Sequence, residues 1–382
     1  MVRIRGHTLA GWVNVPLLLF AALLTLYGSV MVQSATSDMS SGRALFLRHI
    51  IGVLIGLVPL VFLWLIDYTK LQGWLGPLVL FDALLILSPR IPGLGYEAGG
   101  ATSWLAIGGL RLFQPSEPAK LVTIVIMAIV ISQYKGFIER PRDVARVMGY
   151  LALPLGLILL QPDLGTGMVF IAIASGMFLI GGLKPRWFAV FGLTAVLLVA
   201  AIVGIDNVAD RAAGKDVLVK QYQKDRLMVF VDPTRDPLGA GYNLKQAKIA
   251  IGSGEITGKG LGSGTQGNLN FLPERHTDFI FAVLGEELGF AGAVVLLGLY
   301  LALLIMALEI AVSSRDLLGS LIVAGVIAMW TFQVLENVGM TIGLMPITGI
   351  PLPFMSFGSS FMVTNLAATG MLLSVWSRRY GT

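Results

Sequence analysis

Residues 13–34 read VNVPLLLFAALLTLYGSVMVQS, and no Asp, Glu, Lys or Arg interrupts them. One helix needs about 20 apolar residues to cross a bilayer core, so this stretch predicts a membrane span. Comparable runs follow at 45–66, 71–88, 117–134, 147–161, 164–182, 186–204, 278–306, 317–342 and 357–376, which makes ten predicted spans. The basic lead-in of Arg3 and Arg5 raises the question of a signal peptide, but this apolar run is too long for an ordinary h-region. Composition agrees with a membrane location: 55% of the 382 residues are hydrophobic, 13% are charged, and mean hydropathy is +0.81. Soluble domains carry about 25% charge, so a soluble enzyme is excluded, and the apolar content excludes disorder. The chain is predicted to be an all-α polytopic membrane protein, a single membrane domain over 1–382.

Cysteine is absent, which removes disulfides, thiolate metal sites and Cys nucleophiles. Three histidines, His7, His49 and His276, argue against a multi-histidine metal centre. The net charge of +5 suits basic cytoplasmic loops better than nucleic acid. With the N-terminus inside, twelve Lys or Arg fall in cytoplasmic segments: Arg3, Arg5, Lys70, Lys135, Arg140, Arg142, Arg146, Lys184, Arg186, Arg315, Arg378 and Arg379. Four fall in short outer segments: Arg43, Arg48, Arg90 and Arg111. The charge rule therefore predicts both termini cytoplasmic and 205–277, between the seventh and eighth spans, as one long outer loop.

Inside that loop, 242–251 has the spacing of a short amphipathic helix, with Leu244, Ala247 and Ile251 on one side. Lying at the headgroups and standing in solvent are equally compatible with that spacing. Seven glycines crowd 252–268. The Walker pattern fails because Gly260 follows Lys259. The match at Gly262, Gly264 and Gly267 has no strand or Rossmann unit around it. A turn-rich, mobile loop is the expectation, and no nucleotide, haem or flavin is called for. The run Gln161-Pro162-Asp163-Leu164-Gly165-Thr166 breaks the apolar sequence and predicts a tight turn between the fifth and sixth spans.

Ionisable groups at membrane depth are costly, so each is a candidate functional residue. They are Asp82, Glu117, Asp163, Asp278, Glu286, Glu287, Glu309 and Glu336. Glu117 and Lys120 stand three apart and share a helix face, as a structural ion pair would. Glu336, beside Gln333 and Asn337, reads as a hydrogen-bonded packing group. Asp163 and Asp278 fall at helix ends in polar surroundings. Asp278 follows Arg275, His276 and Thr277 and leads straight into an apolar helix. A carboxylate there serves either as a helix cap or as a base.

Five stretches carry a family resemblance: 113–117 (FQPSE), 161–166 (QPDLGT), 236–242 (DPLGAGY), 273–279 (PERHTDF) and 349–358 (GIPLPFMSFG). In this order, and over nearly the whole chain, they resemble the SEDS proteins (shape, elongation, division and sporulation), and the rod-elongation branch more than the division branch. The family usually has Gly where this chain has Ser359. The resemblance implies a ten-helix fold and peptidoglycan glycosyltransferase activity on lipid II, with Asp278 deprotonating the acceptor 4-hydroxyl and inversion at C1. It implies Asp163, Glu117, Lys120, Arg111, Arg275, His276, Thr277 and Ser356 as binding or supporting residues. Loop cations or a divalent cation, magnesium or manganese, would neutralise the leaving diphosphate, with Asp278 and Asp163 as candidate ligands. Implied partners are a class B penicillin-binding protein and other membrane proteins of the elongation complex. A lipid II flippase and a non-catalytic scaffold are the competing expectations.

Overall fold

The computed structural model describes residues 3–4, 7–98, 101–107, 110–194, 229–230, 232, 236, 239–265 and 271–380. Among these residues nine long helices correspond to nine of the predicted spans. They are α1 (Val15–Thr36), α2 (Gly42–Leu65), α3 (Leu75–Leu87), α4 (Ser116–Ser132), α5 (Pro141–Leu160), α6 (Leu164–Ile180), α8 (Ile280–Ser313), α9 (Leu317–Ile342) and α10 (Ser359–Ser377). A further helix, α7 (Ala240–Ser253), lies between α6 and α8. Residues 185–194 are also helical. The remainder of the seventh predicted span and most of the predicted 205–277 loop lie outside the described residues. Among the described residues, six helical segments have the length and composition to cross a membrane by themselves.

The helices sort by what surrounds them. Helix α4 is apolar apart from a few residues and is buried on nearly every side from Ala119 to Ile131, the pattern of a central helix. Helices α3, α5, α6, α9 and α10 all pack against it. By contrast, α2 leaves Leu54, Val58 and Phe62 exposed, and α8 leaves Val295, Leu301 and Leu308 exposed. In a membrane bundle those faces meet lipid. Helices α2 and α10 approach closely because α2 carries Gly52 and Gly56. A Cβ at Gly52 would lie 2.9 Å from Ser359 Cα, and one at Gly56 would lie 2.6 Å from a Leu366 methyl. Ser359, the departure from the family pattern, is the first residue of α10, while the positive φ of 155° falls on Gly358. The serine therefore carries no backbone strain.

Between α3 and α4 stands a three-stranded antiparallel sheet that the span reading did not anticipate: β1 (Gly95–Ala98), β2 (Ala101–Ile107) and β3 (Leu110–Phe113), in the order β1-β2-β3. Helix α7 also resolves the two expectations for 242–251. Leu244, Ala247 and Ala250 are buried in a cluster with Leu272, Phe279, Ala282, Met340 and Ile347. Its apolar side thus packs on α8, α9 and their ends, so neither headgroups nor open solvent provides its main partner.

The glycine-rich segment is packed rather than free. Helix α8 breaks at Gly289, which has φ 64° and ψ −162°. Residues 254–260 lie against the break. Lys259 N donates to Glu286 O (3.0 Å), Gly260 N to Glu287 O (2.9 Å), Phe290 N to Glu255 O (2.9 Å) and Ala291 N to Ile256 O (3.0 Å). A Cβ at Gly254 would sit 1.9 Å from Gly285 O, and one at Gly258 would sit 2.2 Å from Glu287 O. The glycines let two main chains touch, and the carboxylates of α8 then fasten the segment. Glu286 accepts from Lys259 Nζ (2.6 Å) and from Thr265 N and Oγ1 (2.8 Å each). Glu287 accepts from Ser34 Oγ at 2.8 and 2.6 Å.

Candidate active site

Asp278 is half-buried in the turn that precedes α8. Three consecutive main-chain carbonyls hold that turn. Phe357 N donates to His276 O at 2.9 Å. Ser356 Oγ donates to Thr277 O at 2.7 Å while accepting from Leu352 N at 2.8 Å. Asn337 Nδ2 donates to Asp278 O and to Ile350 O, both at 2.8 Å. Ser356 and Asn337 are fully buried. A backbone fixed at three successive residues holds the Cα from which the carboxylate projects in one place, a support that a catalytic group requires.

Arg275 faces away from this task. Its side chain is 1% exposed; Nε donates to Ala35 O (2.8 Å) and Nη2 pairs with Asp38 Oδ1 (2.5 Å). Thus the guanidinium closes the end of α1, where orphan carbonyls need donors. Of the two expectations for Arg275, binding substrate or supporting the site, these contacts describe the second, a brace behind Asp278. Asp38 was not anticipated, since an acid in a short loop gives no signal of a partner far along the chain. Thr277 Oγ1 donates to Glu274 O and Oε2, both at 3.1 Å, and shapes the same turn.

His276 is half-buried, its ring 5.3 Å from that of Phe357. Burial lowers its pKa from the ordinary 6.5; Glu274 pulls it up and Arg275 pushes it down. The imidazole is therefore neutral near pH 7 and remains the alternative base.

Asp163 caps α6. Its Oδ1 accepts from Thr166 N (3.0 Å) and its Oδ2 from Thr166 Oγ1 (2.8 Å), the local arrangement of an N-cap. The next turn packs on the segment that Asn337 holds: a Cβ at Gly165 would lie 3.1 Å from Thr348 O and 3.4 Å from Ile350 Cγ1. Asp163 and Asp278 therefore belong to one end of the bundle, joined through 348–350. Glu336, fully buried, accepts from Thr348 Oγ1 at this junction, as expected of a packing group.

Glu117 and Lys120 form an ion pair on α4, with Nζ 2.9 Å from Oε1 and 2.8 Å from Oε2 and both side chains buried. Lys120 Nζ also stands 5.6 Å from the centre of the Phe361 ring on α10. Gln114 N donates to Ser360 Oγ at 2.9 Å, which pins the start of α4 to the start of α10. Arg111 is in β3, paired with Ala106, and its side chain lies outside the described residues.

Among the described residues no three His, Asp or Glu side chains converge as a metal site. A cation at this end would have to take most of its ligands from substrate phosphate and water.

A helical membrane bundle with an acid on a firmly held turn at one end and a buried ion pair on a central helix defines the class, a polytopic membrane protein with a polar site at one end. The chain belongs to the FtsW/RodA/SpoVE family, described as cell cycle proteins, whose sequence model matches residues 12–380. It is 36% identical to the peptidoglycan glycosyltransferase MrdB of Escherichia coli K12, covering 95% of this chain and 93% of that protein. Identity to the peptidoglycan glycosyltransferase RodA of Treponema pallidum is 33%, covering 95% and 97%. Among solved structures, a chain described under polymerisation and crosslinking by a peptidoglycan synthase complex superposes with a TM-score of 0.77 at 31% identity, covering 96% and 98%. RodA of Thermus thermophilus superposes with a TM-score of 0.69 at 29% identity, covering 96% and 97%.

Proposed function

We propose that this protein is the peptidoglycan glycosyltransferase of cell elongation, polymerising lipid II with Asp278 as the general base. The observation that carries the assignment of the base is the three-carbonyl clamp on 276–278. In the reaction Asp278 takes the proton of the acceptor 4-hydroxyl as that oxygen attacks C1 of the donor sugar. The C1–O bond to the polyprenyl diphosphate breaks with its electron pair, and the α-linked donor becomes a β-1,4 link by inversion. A diphosphate leaves as a stabilised anion, so protonation by a second carboxylate is not required. A divalent cation, when bound by Asp278 or Asp163 together with substrate, would supply charge neutralisation. The termini are assigned to the cytoplasm and the Asp278 end to the outer face. The partner is a class B penicillin-binding protein that cross-links the nascent strand, within the elongation machinery.

The test is lipid II polymerisation by the purified chain with its transpeptidase partner. Asp278→Asn keeps the shape of the side chain and removes its charge and basicity, so the rate should fall by about 10²-fold or more with the melting temperature unchanged. Polymer made at the wild-type rate would transfer the role of base to His276. A wild-type complex that moves lipid II across vesicles without polymerising it would establish the flippase instead.

A further inference from the structure

Beneath Asp278 the bundle contains polar groups with nothing polar to meet. Gln333 is 1% exposed on α9, and neither its Oε1 nor its Nε2 has a hydrogen-bond partner among the described residues. Ser116 Oγ on α4 and Thr364 Oγ1 on α10 are likewise buried without partners. Such groups are rare in folded proteins because each forfeits its hydration without return.

Helix registers place Gln333, and Ser116 lies one turn before Lys120 on α4. Gly325 of α9 marks the face towards α4, since a Cβ there would lie 2.8 Å from Ile124 Cγ2. Trp330 marks the face towards α10, where its Nε1 donates to Asn365 Oδ1 at 2.8 Å. On a helical wheel Gln333 falls between those two faces, in the wedge where Lys120 of α4 meets Phe361 of α10. Counting about two turns towards the Asp278 end from the Gly325–Ile124 contact reaches Gln333 on α9 and Glu117 on α4. Gln333 is thus level with the Glu117–Lys120 pair. One turn further out stands Asn337, which holds the backbone of Asp278.

We propose that Gln333 is a substrate-binding residue, whose amide, with Ser116 Oγ, holds neutral hydroxyl or acetamido groups of a lipid-linked sugar next to the reacting centre. This rests on the glycosyltransferase reading and deepens it. The chemistry of the wedge selects a neutral ligand. Lys120 is already paired with Glu117, so a diphosphate would find no free charge there. An amide that donates and accepts complements hydroxyl and acetamido groups, which do both.

Gln333→Met keeps length and volume and removes the amide. In the wild-type complex with its transpeptidase partner, lipid II polymerisation gives the reference KM and kcat. The variant should raise KM about tenfold with kcat little changed, the mark of lost ground-state binding. Its melting temperature should hold or rise, because an unpaired buried amide has been replaced by an apolar group. Gln333→Asn, which withdraws the amide by one methylene, should give an intermediate KM. An unchanged KM in Gln333→Met overturns the inference. So does a marked fall in its melting temperature, which would assign the amide a structural partner. A wild-type complex that makes no polymer instead overturns the glycosyltransferase reading, whatever the variant does.

Discussion

At the scale of single residues, the site is built from charges and amides that the bundle encloses. Glu117 and Lys120 are the clearest case, 4% and 2% exposed. Removing one partner of a buried pair strands the other charge and costs about 3–5 kcal/mol, whereas replacing both with apolar or neutral groups is often far milder. Glu117→Gln and Lys120→Met should each lower the melting temperature of the purified protein sharply. The double variant should melt above both singles. If it melts at or below the weaker single, the two charges are not mutually compensating and the ion pair does not hold α4. The pair was legible in the sequence because a spacing of three at membrane depth leaves few other arrangements. The clamp on Asp278 was not. Its acceptors are main-chain carbonyls, which every residue carries, so no residue type at 276 or 277 could announce it. The resemblance marked Ser356 as a binding or supporting residue but gave it no partner, and Asn337 was visible only as a polar residue beside Glu336.

At the scale of elements, the spans were legible because a bilayer imposes one requirement on every residue of a helix. The sheet β1-β2-β3 was hidden because its strands are short and carry no such uniform signal. The packing of 252–264 was hidden for another reason: close approach of two main chains leaves only glycine as a trace, and glycine equally marks an open turn. Two substitutions separate the meanings. Gly252 is in α7, and a Cβ there meets nothing within 4 Å. Gly252→Ala should therefore stabilise, by up to about 1 kcal/mol, through helix propensity. Gly254 has an ordinary φ of −82°, yet a Cβ there would lie 1.9 Å from Gly285 O. Gly254→Ala should destabilise by about 1–3 kcal/mol through overpacking alone. Thermal melting of the two variants beside wild type reads both signs. A harmless Gly254→Ala would mean that the segment does not lie on α8 as the backbone hydrogen bonds indicate.

At the scale of the whole molecule, the ends of the bundle differ in what they hold. At one end Asp163, Asp278, the clamp and α7 come together. At the other, Arg378 donates to Trp64 O and Leu65 O, Arg379 donates to Gly11 O, and Lys184 pairs with Glu139. In the orientation proposed above from the asymmetry of basic residues in short loops, that second end is the cytoplasmic one. On that proposal a base acting on lipid-linked sugar stands at the opposite end of the bundle, the end that holds Asp278. The absence of cysteine from the chain makes this testable with single replacements. Lys245 is exposed on α7 at the Asp278 end, and Arg142 is exposed in the first turn of α5 at the other. In intact spheroplasts, Lys245→Cys should react with a membrane-impermeant maleimide, and Arg142→Cys should react only after the membrane is opened. The reverse pattern would place Asp278 on the cytoplasmic side, where the substrate is made and not where the wall is built, and would remove the topological basis for polymerisation by this site.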